Sequence, residues 1–195
     1  MNIALFFGSF NPVHIGHMII ADYVRQHSPV NQIWFVLTPQ NPHKKQSNLL
    51  DDYTRLEMLN LAIEDDPNLR VSDIEFKLPK PSYTATTLAY LKEKFPEYRF
   101  YLTIGEDNLY TLHKWQNSDV IIRDHPVIFY PRMYQRKPEE AVKFLEKAEL
   151  LRCEAPKIQI SSSFVRKEIA AGNSVRYALP EKVWRFLEGS NIYRK

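Results

Sequence analysis

GSFNPVHIGH, Gly8 to His17, directly follows the apolar run IALFF, Ile3 to Phe7, at the start of a 195-residue chain. An unbroken apolar run of that length reads as a strand buried on both faces, as in a parallel sheet. Gly8 lets the backbone turn sharply and lets a ligand approach it closely. Gly16 to His27 then reads as a helix, with Met18, Ile19, Ala21, Tyr23 and Val24 as apolar positions. Ser9 and Phe10 present backbone N–H groups at the strand end. His14 and His17, three residues apart, share one face where the helix begins. A helix N-terminus attracts phosphate through its free N–H groups and its dipole, and two imidazoles add donors there. A metal site would need a third ligand, and none is local. A packed histidine pair is the structural alternative.

The same alternation continues along the chain. Ile33 to Leu37 reads as a second buried strand, halted by Pro39, and Gln40 to Asp51 as a long polar loop. Tyr53 to Ile63 reads as a helix with Leu56, Leu59, Leu61 and Ile63 inward, and Leu69 to Phe76 as a strand. Thr84 to Phe95 is a helix, Arg99 to Ile104 a buried strand ending at Gly105, and Val127 to Tyr130 a short strand closed by Pro131. Pro138 to Ala148 reads as a charged surface helix and Leu150 to Ile160 as the last strand region. Ser163 to Ala171 is a helix with Gly172 at its C′ position, and Pro180 to Glu188 a terminal helix before Gly189. Strands alternating with helices imply an α/β fold, a Rossmann-like parallel sheet with helices on both faces. Ligands of such sheets bind at the carboxyl ends of the strands, so the loops after Phe7, Leu37, Ile104 and Ile160 carry the chemistry.

Composition narrows the function. A net charge of +3 suits an anionic small ligand and is too weak to argue for nucleic acid. The stretch around Arg132, Arg136 and Lys137 reads as a solvated loop, with phosphate contact as the minor alternative. One cysteine, Cys153, excludes an internal disulfide and points to a reduced compartment. No stretch reaches the ~18 apolar residues of a membrane span, and the N-terminus lacks the basic region of a signal peptide. The cytoplasm is therefore expected. The pattern fixes no oligomeric state.

Near the other end of the chain stands ISSSFVR, Ile160 to Arg166. Serines at a helix start cap it and offer hydroxyls to phosphate, and an arginine one turn later can grip phosphate with two bonds. Together with HIGH after an N-terminal strand and GSFNP, this resembles the nucleotidylyltransferase superfamily with its HxGH and ISSSxxR signatures. That resemblance implies that His14, His17, Lys44 and Arg166 serve catalysis. It also implies that Gly8, Ser9, Phe10, His17, Gly105, Asp107, Ser161, Ser162 and Arg166 bind ATP. Many members carry an aspartate where this chain has Asn11.

PQNPHKK (Pro39 to Lys45), RLEML (Arg55 to Leu59), PSYTATTL (Pro81 to Leu88) and TIGEDNLYTLHKW (Thr103 to Trp115) are similar, in order and spacing, to bacterial nicotinate-nucleotide adenylyltransferases. The SYT segment and Trp115 set that family apart from sister nucleotidylyltransferases. The resemblance runs from Ile3 to Tyr193, so residues 1–195 read as one nucleotidylyltransferase domain. It implies transfer of AMP from ATP to nicotinate mononucleotide, giving deamido-NAD and pyrophosphate. Trp115 would stack on the pyridine ring, backbone N–H groups at Thr84 and Gln116 would hold its carboxylate, and Lys44 would contact its phosphate. With no carboxylate cluster evident, Mg²⁺ is expected to arrive on the triphosphate.

Overall fold

IALFF lies at the centre of a sheet. A computed structural model describes residues 1–39, 49–133 and 137–194. Its strands are β1 (Asn2–Gly8), β2 (Gln32–Leu37), β3 (Leu69–Ser72), β4 (Arg99–Gly105), β5 (Val127–Tyr130) and β6 (Leu150–Arg152). They form one sheet in the order β3-β2-β1-β4-β5-β6. Every pairing is parallel. The helices are α1 (Ile15–His27), α2 (Asp52–Ile63), α3 (Thr84–Lys94), α4 (Glu106–Leu109), α5 (Ser118–Asp124), α6 (Glu139–Leu145), α7 (Ser162–Ala170) and α8 (Glu181–Glu188).

Alternate side chains of each strand feed two cores, because successive residues of a strand point to opposite faces. Ala4, Phe6, Ile33 and Phe35 meet Ile20 and Val24 of α1, Met58 and Leu59 of α2, Val165 of α7 and Val183 of α8. Ile3, Leu5, Trp34, Val36 and Leu102 meet Leu88 and Leu91 of α3, Ile121 of α5 and Leu145 of α6. The expected helices on both faces are therefore present. The chain winds outward from β1 to β3, then crosses to β4 on the other side of β1. The carboxyl ends of β1 and β4 thus flank a crevice where the winding reverses, which is where such sheets take ligands.

Three expectations need correction. The strand over Leu69 to Phe76 stops at Ser72, opposite Val36 near the end of β2. With its partner strand ending, the chain turns into a 3-10 turn over Ile74–Lys77 that buries Ile74 and Glu75. The last strand pairs only over Leu150–Arg152, because the chain then leaves the sheet edge to reach α1, where Ile158 packs beside Gly16. The stretch between Ile104 and Val127 is not a plain loop: it folds into α4, a 3-10 turn over Leu112–Lys114, and α5.

Candidate active site

The first loop is held in shape from three directions. From α7, Ser162 Oγ donates to the Pro12 carbonyl at 2.9 Å and Arg166 Nη1 donates to the Asn11 carbonyl at 2.8 Å. Ser161 caps that helix by accepting from the Phe164 N–H at 3.1 Å. From α2, Arg55 Nη1 donates to the Ser9 carbonyl at 2.7 Å. From the C-terminus, the Tyr193 hydroxyl donates to Asn11 Oδ1. The loop's own conformation requires glycine at Gly8, where a Cβ would meet the Phe10 ring at 2.8 Å. Phe10 is itself buried and adopts φ +42°. The two signatures from opposite ends of the chain are thus one structure, with GSFNP gripped by ISSSFVR.

His14 is the N-cap of α1, and His17 lies one turn in. Their rings stack with centroids 3.6 Å apart and planes at 21°. The His14 backbone N–H donates to His17 Nδ1 at 3.2 Å. An accepting Nδ1 leaves the His17 proton on Nε2, which makes that nitrogen a donor. The Gly16 site is tight: a Cβ there would meet His14 Nδ1 and Ile158 Cγ2, each at 3.1 Å. Burial, assisted by the Arg132 guanidinium, pulls the His14 pKa down from 6.5 to about 4. His14 is therefore neutral near pH 7, and its buried Nδ1 has no hydrogen-bond partner among the described residues.

The lowered pKa predicts a pH dependence of stability. Between about pH 6.5 and pH 4 the unfolded chain takes up a proton that the native His14 refuses. Unfolding free energy should then fall as pH falls through that window. Burial pushes Glu75 the other way, raising its carboxyl pKa and giving a slope of opposite sign above its ordinary range. The difference between wild type and His14→Asn isolates the histidine. Urea unfolding at pH 7, 6, 5 and 4 should show a shallower loss in the variant, and parallel curves would refute the assignment.

At the neighbouring strand end, Gly105 begins α4, and a Cβ there would run into Asp107 Oδ1. Arg132 Nε stands 3.7 Å from Asp107 Oδ1. Arg132 is a loop residue with a half-exposed side chain, and it reaches the site through Asp107 and its charge beside His14. Lys137 pairs with Glu106 at 3.9 Å. Lys44, with its neighbours His43 and Lys45, and Arg136 lie outside the described residues.

A cavity of about 470 Å³ opens beside this loop. Its lining includes Phe7, Glu75, Thr84, Gly105, Trp115 and Gln116. That volume is in the usual range for a small-molecule site. Thr84 is the first residue of α3, where first-turn N–H groups have no acceptor within the helix. Trp115 is partly buried against the second core and follows the 3-10 turn, its N–H donating to the Leu112 carbonyl at 2.9 Å. Gln116 is exposed at the start of the turn into α5. The structure therefore brings the histidine loop, α7 and the Gly105 turn together, with Thr84, Trp115 and Gln116 around the adjoining cavity.

Arg55, which opens RLEML, had no expected role in the site. It is fully buried, and its guanidinium also donates to the carbonyls of Leu50 (3.0 Å), Thr38 (3.0 Å) and Pro39 (3.4 Å), and to Asp52. Its signal was its position: Arg55 shares the inward stripe of α2 with Met58, Leu59 and Ile63, whereas Leu56 and Leu61 are only partly buried. Cys153 is buried, and burial raises its thiol pKa, so it offers no thiolate.

A parallel sheet wound as 3-2-1-4-5-6, with a histidine pair at its first turn clamped by a serine–arginine helix, defines a nucleotidyltransferase. The Cytidylyltransferase-like family profile matches residues 5–168. Relatives called "Probable nicotinate-nucleotide adenylyltransferase" include one from Flavobacterium psychrophilum, 48% identical over 100% of both chains, and one from Cytophaga hutchinsonii, 39% identical over 99% of this chain and 98% of the relative. The Plasmodium falciparum nicotinic acid mononucleotide adenylyltransferase, solved with NaAD, superimposes with a TM-score of 0.80 at 22% identity, covering 98% of this chain and 97% of its own, and shares the fold. This chain belongs to the nicotinate-nucleotide adenylyltransferase family.

Proposed function

We propose that this protein transfers AMP from ATP to nicotinate mononucleotide, forming nicotinate adenine dinucleotide (deamido-NAD) and pyrophosphate in NAD biosynthesis. The observation that carries this reading is that the clamped His14–His17 loop continues from Phe6 and Phe7, which line the same cavity as Thr84, Trp115 and Gln116. One half suits a triphosphate; the other suits a flat ring bearing a carboxylate.

The attacking group is the 5′-phosphate of the mononucleotide, already an anion near pH 7, so no general base is required. An oxygen of that phosphate attacks the α-phosphorus of ATP in line. The bond from the α-phosphorus to the bridging oxygen breaks, and pyrophosphate leaves with the electron pair. Catalysis is then positioning and charge stabilisation. His17 Nε2–H, the N–H groups of the Gly8–Phe10 turn, Ser161, Ser162 and Arg166 surround the phosphates, the family resemblance assigns Lys44 to them as well, and neutral His14 packs His17 into register. Arg166 trades part of its bond to the Asn11 carbonyl for phosphate. Asp107 lies at the ribose end of the donor site. Mg²⁺ enters as part of the donor, bound to its phosphate oxygens. We assign the activity to the cytoplasm, where ATP is abundant and a lone thiol stays reduced. No helix of the described residues is long and apolar enough to cross a membrane.

Incubation with ATP, Mg²⁺ and nicotinate mononucleotide should yield NaAD and pyrophosphate. A higher kcat/KM for nicotinamide mononucleotide would overturn the acceptor, and no pyrophosphate from either would overturn the reaction. Trp115→Ala tests the stacking role. A cationic ring over an indole is worth about 0.5–2 kcal/mol, so KM for nicotinate mononucleotide should rise roughly 2- to 30-fold while KM for ATP holds. Equal rises in both KM values would make Trp115 merely structural.

A further inference from the structure

We propose that Glu75 determines acceptor specificity by supplying the counter-charge to the pyridinium ring of the mononucleotide. The inference rests on the acceptor reading above and goes beyond it, since Glu75 belonged to no expected site.

Glu75 sits in the 3-10 turn after β3 and lines the cavity, and the residue is 1% exposed. Thr87 Oγ1 donates to Glu75 Oε1 at 2.7 Å. Glu75 Oε2 is buried and has no hydrogen-bond partner among the described residues, as is true of two hydroxyls on the same lining, Ser82 Oγ and Thr103 Oγ1. No Lys, Arg or His among the described residues pairs with the carboxylate. Lys114 lines the same cavity but is exposed and forms no ion pair with it.

A buried carboxylate without a counter-ion is costly, and such a group facing a cleft marks a place where a ligand completes it. Burial pushes its pKa up, while the Thr87 hydroxyl bonded to Oε1 favours the ionised form. Among the described residues the cavity thus holds a carboxylate prepared for charge but not balanced. Near pH 7 the ring nitrogen is the one positively charged centre in ATP and nicotinate mononucleotide together. The acceptor's two anionic groups sit at its ends, the ring carboxylate toward Thr84 and Gln116 and the phosphate toward the histidine loop. The stretch between them carries the cation, and Glu75 faces the cavity from between β2 and α3. Trp115 would select a flat ring, and Glu75 a charged one.

The test compares nicotinate mononucleotide with its reduced form. The reduced form keeps the carboxylate, ribose and phosphate, but its dihydropyridine ring has lost the positive charge. In Glu75→Gln, kcat/KM for the oxidised acceptor should fall at least tenfold, with KM for ATP unchanged. The ratio of kcat/KM between oxidised and reduced acceptor should shrink by a similar factor. The ratio comes from one preparation, so a misfolded fraction cancels. Glu75→Asp keeps the charge one methylene further back and should lose part of the ratio, less than Glu75→Gln does. Equal loss for both acceptors, an altered Mg²⁺ dependence with the ratio intact, or an unchanged ratio in Glu75→Asp even if Glu75→Gln fails to fold would each overturn the proposal. Absence of any turnover by the wild type would instead overturn the proposed reaction.

Discussion

His17→Ala should lower kcat by about two to three orders of magnitude, the usual cost of removing one preorganised donor from a developing negative charge. The argument rests on the tautomer. Because the His14 N–H donates to His17 Nδ1, the proton sits on Nε2 and a neutral ring can still donate. Alanine removes that donor together with the 3.6 Å stack on His14. The structural loss should be modest, because the ring is partly exposed and the bond it accepts from the His14 N–H is worth about 1 kcal/mol. On a chain of this size that is a shift of roughly 2–4 °C in Tm. Steady-state kcat and thermal unfolding on one preparation separate the two effects. Near-normal turnover removes His17 from the mechanism, and a collapse of Tm makes it a folding residue.

Much of this site could be read from the sequence because it is built from local patterns. IALFF, Gly8 and the helix after His14 form one strand–turn–helix unit, and each of its parts follows from residues within a few positions. ISSSFVR is equally local: Ser161 caps α7 by its own third neighbour, and Gly172 ends that region with φ +80°. What escaped the reading depends on contacts distant in sequence. The short elements α4 and α5 are marginal alone and exist because Leu109, Leu112, Ile121 and Ile122 join the second core. The reach of Tyr193 to Asn11 spans nearly the whole chain. Glu75 looked like one charge in a strand, since nothing nearby in sequence reveals that β3 ends early and turns it inward.

Arg55→Met carries the largest expected stability loss, about 3–5 kcal/mol, the range found when one partner of a buried charge network is removed. The guanidinium makes bonds to four backbone carbonyls, those of Ser9, Thr38, Pro39 and Leu50. Those carbonyls end β1 and β2 and begin the approach to α2, and in that bend they have no regular ladder to join. Methionine fills the volume but donates nothing, so buried acceptors are left unsatisfied at about 1–3 kcal/mol each before relaxation. Asp52 suffers less, being partly exposed and also paired with Lys80 at 3.1 Å. Arg55→Lys should rescue little, because one ammonium cannot reproduce the planar fork that meets carbonyls in several directions. Urea unfolding should show the midpoint falling in both variants with the slope unchanged, and a Tm lower by roughly 10 °C in Arg55→Met. The loop that Arg55 holds by Ser9 is the one proposed to receive phosphate, so KM for ATP should rise alongside. ATP at a hundred times its Kd should restore about 2.7 kcal/mol of stability if the loop can still close on it. Recovery with ATP makes Arg55 a positioning residue of the phosphate loop. Unfolding that ATP does not shift makes it a residue of the core alone, and wild-type stability in Arg55→Met shows that the four carbonyls find other donors.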